Sequence, residues 1–255
     1  MDKSQYLSKV SGPALVFGAG GIGTEIVRAF VASGASAVAF TYNKNQAAAE
    51  ALKSEVEALG ARAFIGSVDL MDTDALTVFL DKAAEAFGEE ITTVVNTVGI
   101  SPNTPLPDQT PEEWRQVYEV NVFGPFFSSR LIASRMKKHG VKGSITLITS
   151  TNGINSQSSI SAHYDSSKAA QAHMMRIIAE EYAPAGIRIN GVAPGWINTK
   201  MNDTLPEDER EKEMAKIWSG RFAEPAEVAK LVVFVASSGG SYIYGQNLMI
   251  DGGYR

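Results

Sequence analysis

The segment Tyr164-Asp165-Ser166-Ser167-Lys168 sets a phenol and an ammonium four residues apart, a spacing that puts both on one face of a helix. An adjacent cation favours phenolate, so Lys168 is expected to lower a tyrosine pKa that starts at about 10 and bring it within reach of acid/base work at neutral pH. Of the eight tyrosines, only Tyr164 has a lysine four places on. Alone, such a pair is most often a surface contact. A second group is Gly18-Ala19-Gly20-Gly21-Ile22-Gly23. Gly18, Gly20 and Gly23 satisfy G-x-G-x-x-G, in which one glycine makes the tight turn, one lets a pyrophosphate approach the backbone, and one lets helix and strand pack closely. An acidic residue that would bind a free ribose hydroxyl is expected about 20 positions on. That region reads Tyr42-Asn43-Lys44, with no Asp or Glu between Glu25 and Glu50. A 2′-phosphate would meet no repulsion there and could pair with Lys44, so NADP is preferred over NAD.

Positioning these groups requires strands and helices in alternation. Apolar strand-like runs are expected at Ala14 to Phe17, Ala37 to Tyr42, Ala61 to Ser67, Thr93 to Asn96, Ser144 to Thr149, Ile187 to Ala193 and Asn247 to Ile250. Helical periodicity fills Ile22 to Ser33, Gln46 to Leu59, Thr73 to Phe87 and Ala162 to Tyr182, with Gly34 stopping the first and Asp72 capping the third. The runs ALVF, TVVN and ITLIT do not alternate, as expected when helices cover both faces of a parallel sheet. The fold predicted is a Rossmann-type, doubly wound α/β domain spanning 1–255, its seven-stranded sheet mostly parallel. Two long irregular stretches, Gly99 to Pro111 and the polar Gly195 to Arg221 with a short possible helix, follow strands and should border the ligand site.

The 255 residues are 44% hydrophobic and 20% charged, enough apolar material for a core. Their formal charge of 23 − 28 = −5 disfavours nucleic acid as the main partner. Cysteine is absent, which excludes disulfides, thiolate metal sites and a cysteine nucleophile. The three histidines, 139, 163 and 173, lack metal-ligand spacing. Asp69, Asp72 and Asp74 lack the glycine and terminal glutamate of a calcium loop, so no metal is expected. The opening MDKSQYLSKVSG has no secretory apolar run, and no stretch suits a membrane helix. A soluble, cytoplasmic protein is expected.

In combination and in order, the glycine loop, Asn96-Thr97-Val98-Gly99, Asn121, Ser150, Tyr164 with Lys168, Pro194-Gly195, SGRFAEPAEVA and GQNLMIDGG resemble the single-domain branch of the short-chain dehydrogenase/reductase family. The resemblance implies that Tyr164 is the proton donor or base, that Lys168 lowers its pKa and holds the nicotinamide ribose, and that Ser150 hydrogen-bonds the substrate oxygen. It implies that Asn121 interrupts its helix to support a water-linked proton route to Lys168. Asn96 and Gly99 would steady the sheet beside the adenosine, and Asp69-Leu70 would flank the adenine. Pro194, Gly195, Ile197 and Thr199 would line the nicotinamide, Thr199 holding its carboxamide. Gly18, Gly20, Gly21, Ile22 and Gly23 would hold the phosphates, near Tyr42, Asn43 and Lys44.

The chain departs from the family pattern in three places. Phe17 stands for the usual threonine in a glycine segment one residue short, and Val98 replaces a small residue. No basic residue lies within the glycine loop, which weakens the preference for NADP. Ser150 lies 14 positions before Tyr164, one more than is common, leaving Thr151 as a reserve for the substrate hydroxyl.

The implied activity is hydride transfer between NADP or NAD and a carbonyl or secondary alcohol on a small molecule. A 3-oxoacyl-(acyl-carrier-protein) reductase is a competing reading, lowered because His139 and Ala185 stand where basic docking residues are usual. A dinucleotide sensor without turnover is another, which the complete Ser150, Tyr164, Lys168 and Asn121 set opposes. His163 is read as structural or substrate-lining, and Trp196 and Trp218 as core or substrate contacts. Trp114, Val117, Tyr118 and Val122, with Met174, Met175, Ile177 and Ile178, are read as core or as a two-fold interface. A homotetramer is the assembly implied, with a homodimer as the alternative.

Overall fold

Seven strands lie side by side in the order β3-β2-β1-β4-β5-β6-β7 in a computed structural model that describes residues 8–200, 202 and 205–254. They are β1 (Ala14–Phe17), β2 (Ala37–Thr41), β3 (Arg62–Gly66), β4 (Thr93–Asn96), β5 (Ser144–Ile148), β6 (Arg188–Pro194) and β7 (Asn247–Ile250). Every pairing between them is parallel, not merely most. Each strand expected from sequence is present, with ends shifted by a residue: Tyr42, Ala61, Ser67, Thr149 and Ile187 flank the ladder, and β6 runs on to Pro194.

The helices are α1 (Ile22–Ala32), α2 (Gln46–Ala58), α3 (Thr73–Phe87), α4 (Pro111–Tyr118), α5 (Gly124–Lys138), α6 (Ala162–Tyr182), α7 (Glu207–Ala215) and α8 (Pro225–Ala236). Side-chain caps set several starts. Asn45 accepts from the Ala48 amide at 3.1 Å and Asp72 from the Ala75 amide at 2.9 Å, while Thr110 and Glu113 form a capping box at α4. Past α1, Gly34 takes φ +96°, a left-handed turn that only glycine adopts readily.

The unalternating strand runs follow from burial on both faces. Ala14, Val16, Val38, Phe40, Val95, Ile148 and Val192 pack under α1, α2 and α8. Leu15, Phe17, Ala39, Val94, Ile145, Leu147 and Ile189 face α3, α5 and α6 on the other side. Met175 and Ile178 belong to this second core and Val117 is buried, whereas Ile177 is exposed. Because all strands run one way, the loops after β1, β2, β4, β5 and β6 open onto the same edge. Chain order reverses there between β1 and β4, the place where open α/β sheets hold ligands. Of the stretch Gly195 to Arg221, residues 201, 203 and 204 lie outside the described residues, as does the start of the chain through residue 7. The short helix expected within it is α7. No helix among the described residues is long and apolar enough to cross a membrane.

Candidate active site

The glycine loop turns directly off β1. Gly18 takes φ +83° and Gly21 φ +50°. A Cβ on Gly23 would stand 2.0 Å from the Gly18 carbonyl oxygen, so only glycine lets α1 start this close to the strand. Two threonines brace the turn: Thr41 Oγ1 accepts from the Gly18 amide at 3.0 Å, and Thr97 Oγ1 donates to the carbonyls of Phe17 (2.8 Å) and Gly18 (2.7 Å). Thr97 thus supplies a hydroxyl beneath a loop that has phenylalanine at position 17.

Just past β5, buried Ser150 accepts from the Asn152 amide at 3.2 Å, and its hydroxyl lies near enough to the half-buried Tyr164 phenol to act on it. Thr151, the reserve hydroxyl, instead faces the Pro194 carbonyl at 3.3 Å. Lys168 is almost fully buried, its Nζ donating to Ile148 O at 2.9 Å and to Gln171 Oε1 at 3.0 Å, and it lies 5.7 Å from the Tyr164 ring centroid. Burial brings its pKa down to about 7. Tyr164 does not show the expected lowering. Burial pushes its phenol above the ordinary value, against the lowering influence of the nearby Ser150 hydroxyl, and the Asp165 carboxylate adds to the rise. The physical reason is that desolvation dominates, while the ammonium is anchored on Ile148 and Gln171.

Asn121 sits in a five-residue π turn, Glu119–Phe123, between α4 and α5, the helix interruption expected there. Its Oδ1 accepts from the Ile100 amide at 2.9 Å, and its Nδ2 donates to Ile100 O at 2.9 Å and Ser167 Oγ at 3.0 Å. The amide therefore ties the segment after β4 to α6. Gly99 lets this happen, since a Cβ there would be 3.3 Å from both Asn121 Oδ1 and Lys168 Nζ. Asn96 Oδ1 accepts from the Val98 amide at 2.9 Å.

A glycine turn feeding a helix N-terminus, next to Ser150, Tyr164 and Lys168, is an arrangement for dinucleotide-dependent chemistry at a carbonyl or alcohol. A family model described as Enoyl-(Acyl carrier protein) reductase matches residues 18–255. The chain is 34% identical over 235 residues to a 3-oxoacyl-(acyl-carrier-protein) reductase of Thermotoga maritima, covering 92% of this chain and 94% of that one. It is 36% identical over 248 residues to galactitol 2-dehydrogenase (L-tagatose-forming) of Cereibacter sphaeroides, covering 94% of each. A solved 7α-hydroxysteroid dehydrogenase, complexed with NADH and 7-oxo glycochenodeoxycholic acid, superposes with a TM-score of 0.91 at 33% identity, over 100% of this chain and 98% of that one. The chain belongs to the short-chain dehydrogenase/reductase family. It is accordingly an oxidoreductase that interconverts carbonyl and alcohol groups with a nicotinamide cofactor.

The residues present fit such a cofactor. Gly20 has nothing within 4 Å of where a Cβ would stand, and the α1 N-terminus carries no side-chain cap, so its amides are free of one for an anion. Thr199 packs its methyl 3.5 Å from the would-be Cβ of Gly21, bringing the segment after β6 against the glycine loop. Pro194 and Ile197 are buried, and Gly195 admits Asp251, whose Cβ would be 2.9 Å from a side chain there. Ile22 and Tyr42 each pack on the same core; Asn43 and Lys44 are exposed beyond β2. Asp69 is exposed with Oδ1 accepting from the Met71 amide at 2.9 Å, and Leu70 is buried.

Two side chains considered from sequence have other partners. His163 is buried, its Nδ1 accepts from the Tyr164 amide at 2.8 Å, and its ring lies 6.1 Å from that of Trp114. Trp196 stacks on Phe222 at 5.2 Å and donates to Glu213 at 3.1 Å, while Trp218 is 71% exposed. Among the described residues no group of three or more His, Asp or Glu is placed to hold a metal.

Sequence reasoning passed over Thr41, Thr97, Asp165 and Gln171. Asp165 accepts from Asn152 Nδ2 (2.8 Å), the Ser158 amide (2.7 Å) and Ser161 Oγ (2.9 Å), pinning the loop between Ser150 and Tyr164. Gln171 had a readable signal: it is polar, and it lies three and seven residues beyond Lys168 and Tyr164 on the same helix face.

Proposed function

We propose that Tyr164 exchanges the proton of the reaction and Ser150 holds the substrate oxygen, in a reductase or dehydrogenase of small-molecule ketones and secondary alcohols with NADP preferred over NAD. The observation that carries this is the placement of the Tyr164 ring centroid 5.7 Å from the buried Lys168 Nζ, with the Ser150 hydroxyl near enough to act on the phenol. A nicotinamide held there would supply or accept the hydride. As a carbonyl oxygen gains charge, Ser150 donates a hydrogen bond to it and Tyr164 delivers the proton. In alcohol oxidation Tyr164 takes that proton. Lys168, presented by α6, would hold the nicotinamide ribose, and Asn121 fixes the chain after β4 and supports a proton route to Lys168. Gly18, Gly20, Gly21, Ile22 and Gly23 would hold the pyrophosphate, Asp69, Leu70, Asn96 and Gly99 would border the adenosine, and Pro194, Gly195, Ile197 and Thr199 the nicotinamide. Exposed Lys44, beside Tyr42 and Asn43, would pair with a 2′-phosphate.

A small molecule is favoured over an acidic carrier protein because α7, in the loop after β6, carries Glu207, Asp208, Glu209, Glu211 and Glu213 against Arg210 and Lys212. We further read the chain as one dinucleotide-binding domain, cytoplasmic, and assembled as a two-fold-symmetric homotetramer or homodimer. The test is a ketone panel with NADPH and NADH, followed by loss of nicotinamide absorbance. Tyr164→Phe should reduce turnover by about 10²- to 10⁴-fold with dinucleotide binding kept. Tight dinucleotide binding with no turnover on any carbonyl would instead support a sensor.

A further inference from the structure

Gln171 is fully buried in α6, one turn beyond Lys168, with its carbonyl oxygen 3.0 Å from the Lys168 ammonium. Its other polar atom, Nε2, is buried without a hydrogen-bond partner among the described residues. A glutamine in a helix face otherwise packed by Met175, Ile178 and Ala179 leaves a donor unsatisfied, which works against stability. Its one productive contact is to the lysine. The groups facing Lys168 are the Ile148 carbonyl, the Gln171 amide and the Tyr164 ring. The neutral Asn121 amide also borders Gly99 at this point. No carboxylate acts on the ammonium among the described residues, its displacement being due to burial alone; Asp165 acts on Tyr164.

We propose that Gln171 is a positioning residue for the oxidoreductase reaction, its Oε1 fixing the Lys168 ammonium and keeping it charged beside Tyr164. An ammonium has three donors. The Ile148 carbonyl and Gln171 take two, so the third is left pointing away from both, available to the site. An acceptor without charge fixes the ammonium without neutralising it, 5.7 Å from the Tyr164 ring centroid. The inference rests on the proposed roles of Tyr164 and Lys168.

Gln171→Met keeps the volume and removes both polar atoms; Gln171→Glu keeps the acceptor and adds charge. NMR of carbon-labelled lysine, with the Lys168 signal assigned by Lys168→Met, should show the Lys168 titration moving acid by about one pH unit in Gln171→Met and alkaline in Gln171→Glu. The alkaline limb of kcat/KM for carbonyl reduction should move the same way in each. In Gln171→Met kcat should fall about tenfold with little change in KM for the ketone, while thermal stability is unchanged or higher. A purely structural glutamine would lose stability and leave the titration in place. An unmoved Lys168 titration, or shifts of the same sign in both variants, overturns the proposal. Tyr164→Phe assayed alongside separates the two levels: retained turnover there defeats the reading of the site, whereas abolished turnover with a wild-type Gln171→Met profile defeats only the role of Gln171.

Discussion

Lys168 is the residue at which burial and chemistry meet. Its pKa falls from the ordinary 10.5 to about 7 because the folded chain removes the ammonium from water. Between those values the unfolded chain binds more protons than the folded one, so stability rises with pH across that window. Below pH 7 the folded state carries the full penalty of a buried charge, about 5 kcal/mol at most by linkage. Tyr164, displaced upward, has the opposite sign and removes stability only above its unfolded value near 10. Lys168→Met should therefore have a higher urea midpoint than wild type at pH 6, with the advantage shrinking toward pH 9.5. Parallel midpoint curves would show that Lys168 keeps its ordinary pKa. The spacing of Tyr164 and Lys168 was legible in the chain. The sign of the phenol displacement was not, because it depends on how deeply α6 is covered, and spacing along a helix does not report depth.

At the scale of elements, the β1-to-α1 turn asks different things of its glycines. Gly23 is held by contact with the Gly18 carbonyl, whereas Gly20 faces open space. Gly23→Ala should force α1 away from the strand and lower stability by about 1–3 kcal/mol. Gly20→Ala should leave the urea midpoint within experimental scatter and weaken dinucleotide affinity, measured by quenching of tryptophan fluorescence. Equal loss of stability in both variants would remove this division of labour. Strand and helix positions were readable because the sheet is buried on both sides and the caps at Asn45, Asp72 and Thr110 are local. The bracing of the turn by Thr41 and Thr97 was not, since each threonine reaches the turn from a neighbouring strand through register, which periodicity does not encode. The Asp165 hub was hidden too, because its three partners, Asn152, Ser158 and Ser161, lie in the connection between β5 and α6, which no periodicity describes.

Across the whole molecule, parallel strands gather the functional segments on one edge but at separate places along it. Lys44 follows β2, on one side of β1, while Ser150 follows β5, on the other side of β1 and beyond β4. Energetic effects at well-separated sites without shared partners add nearly independently. Cofactor preference and proton transfer should thus be separable by mutation. The molecule carries a net charge of −5, so an extra phosphate on the cofactor meets an unfavourable overall field and depends on local cations. Lys44 is exposed, and an exposed charge pair contributes up to about 1 kcal/mol, on the order of fivefold in affinity. Lys44→Ala should lower kcat/KM with NADPH by that factor, leave NADH nearly untouched, and keep the pH profile set by Tyr164 and Lys168. The loss should shrink at high salt, because screening weakens the wild-type contact. A wild-type NADPH-to-NADH ratio in Lys44→Ala would place the recognition of the 2′-position elsewhere on that edge, and a displaced pH limb would mean that the two ends of the site are coupled through the sheet.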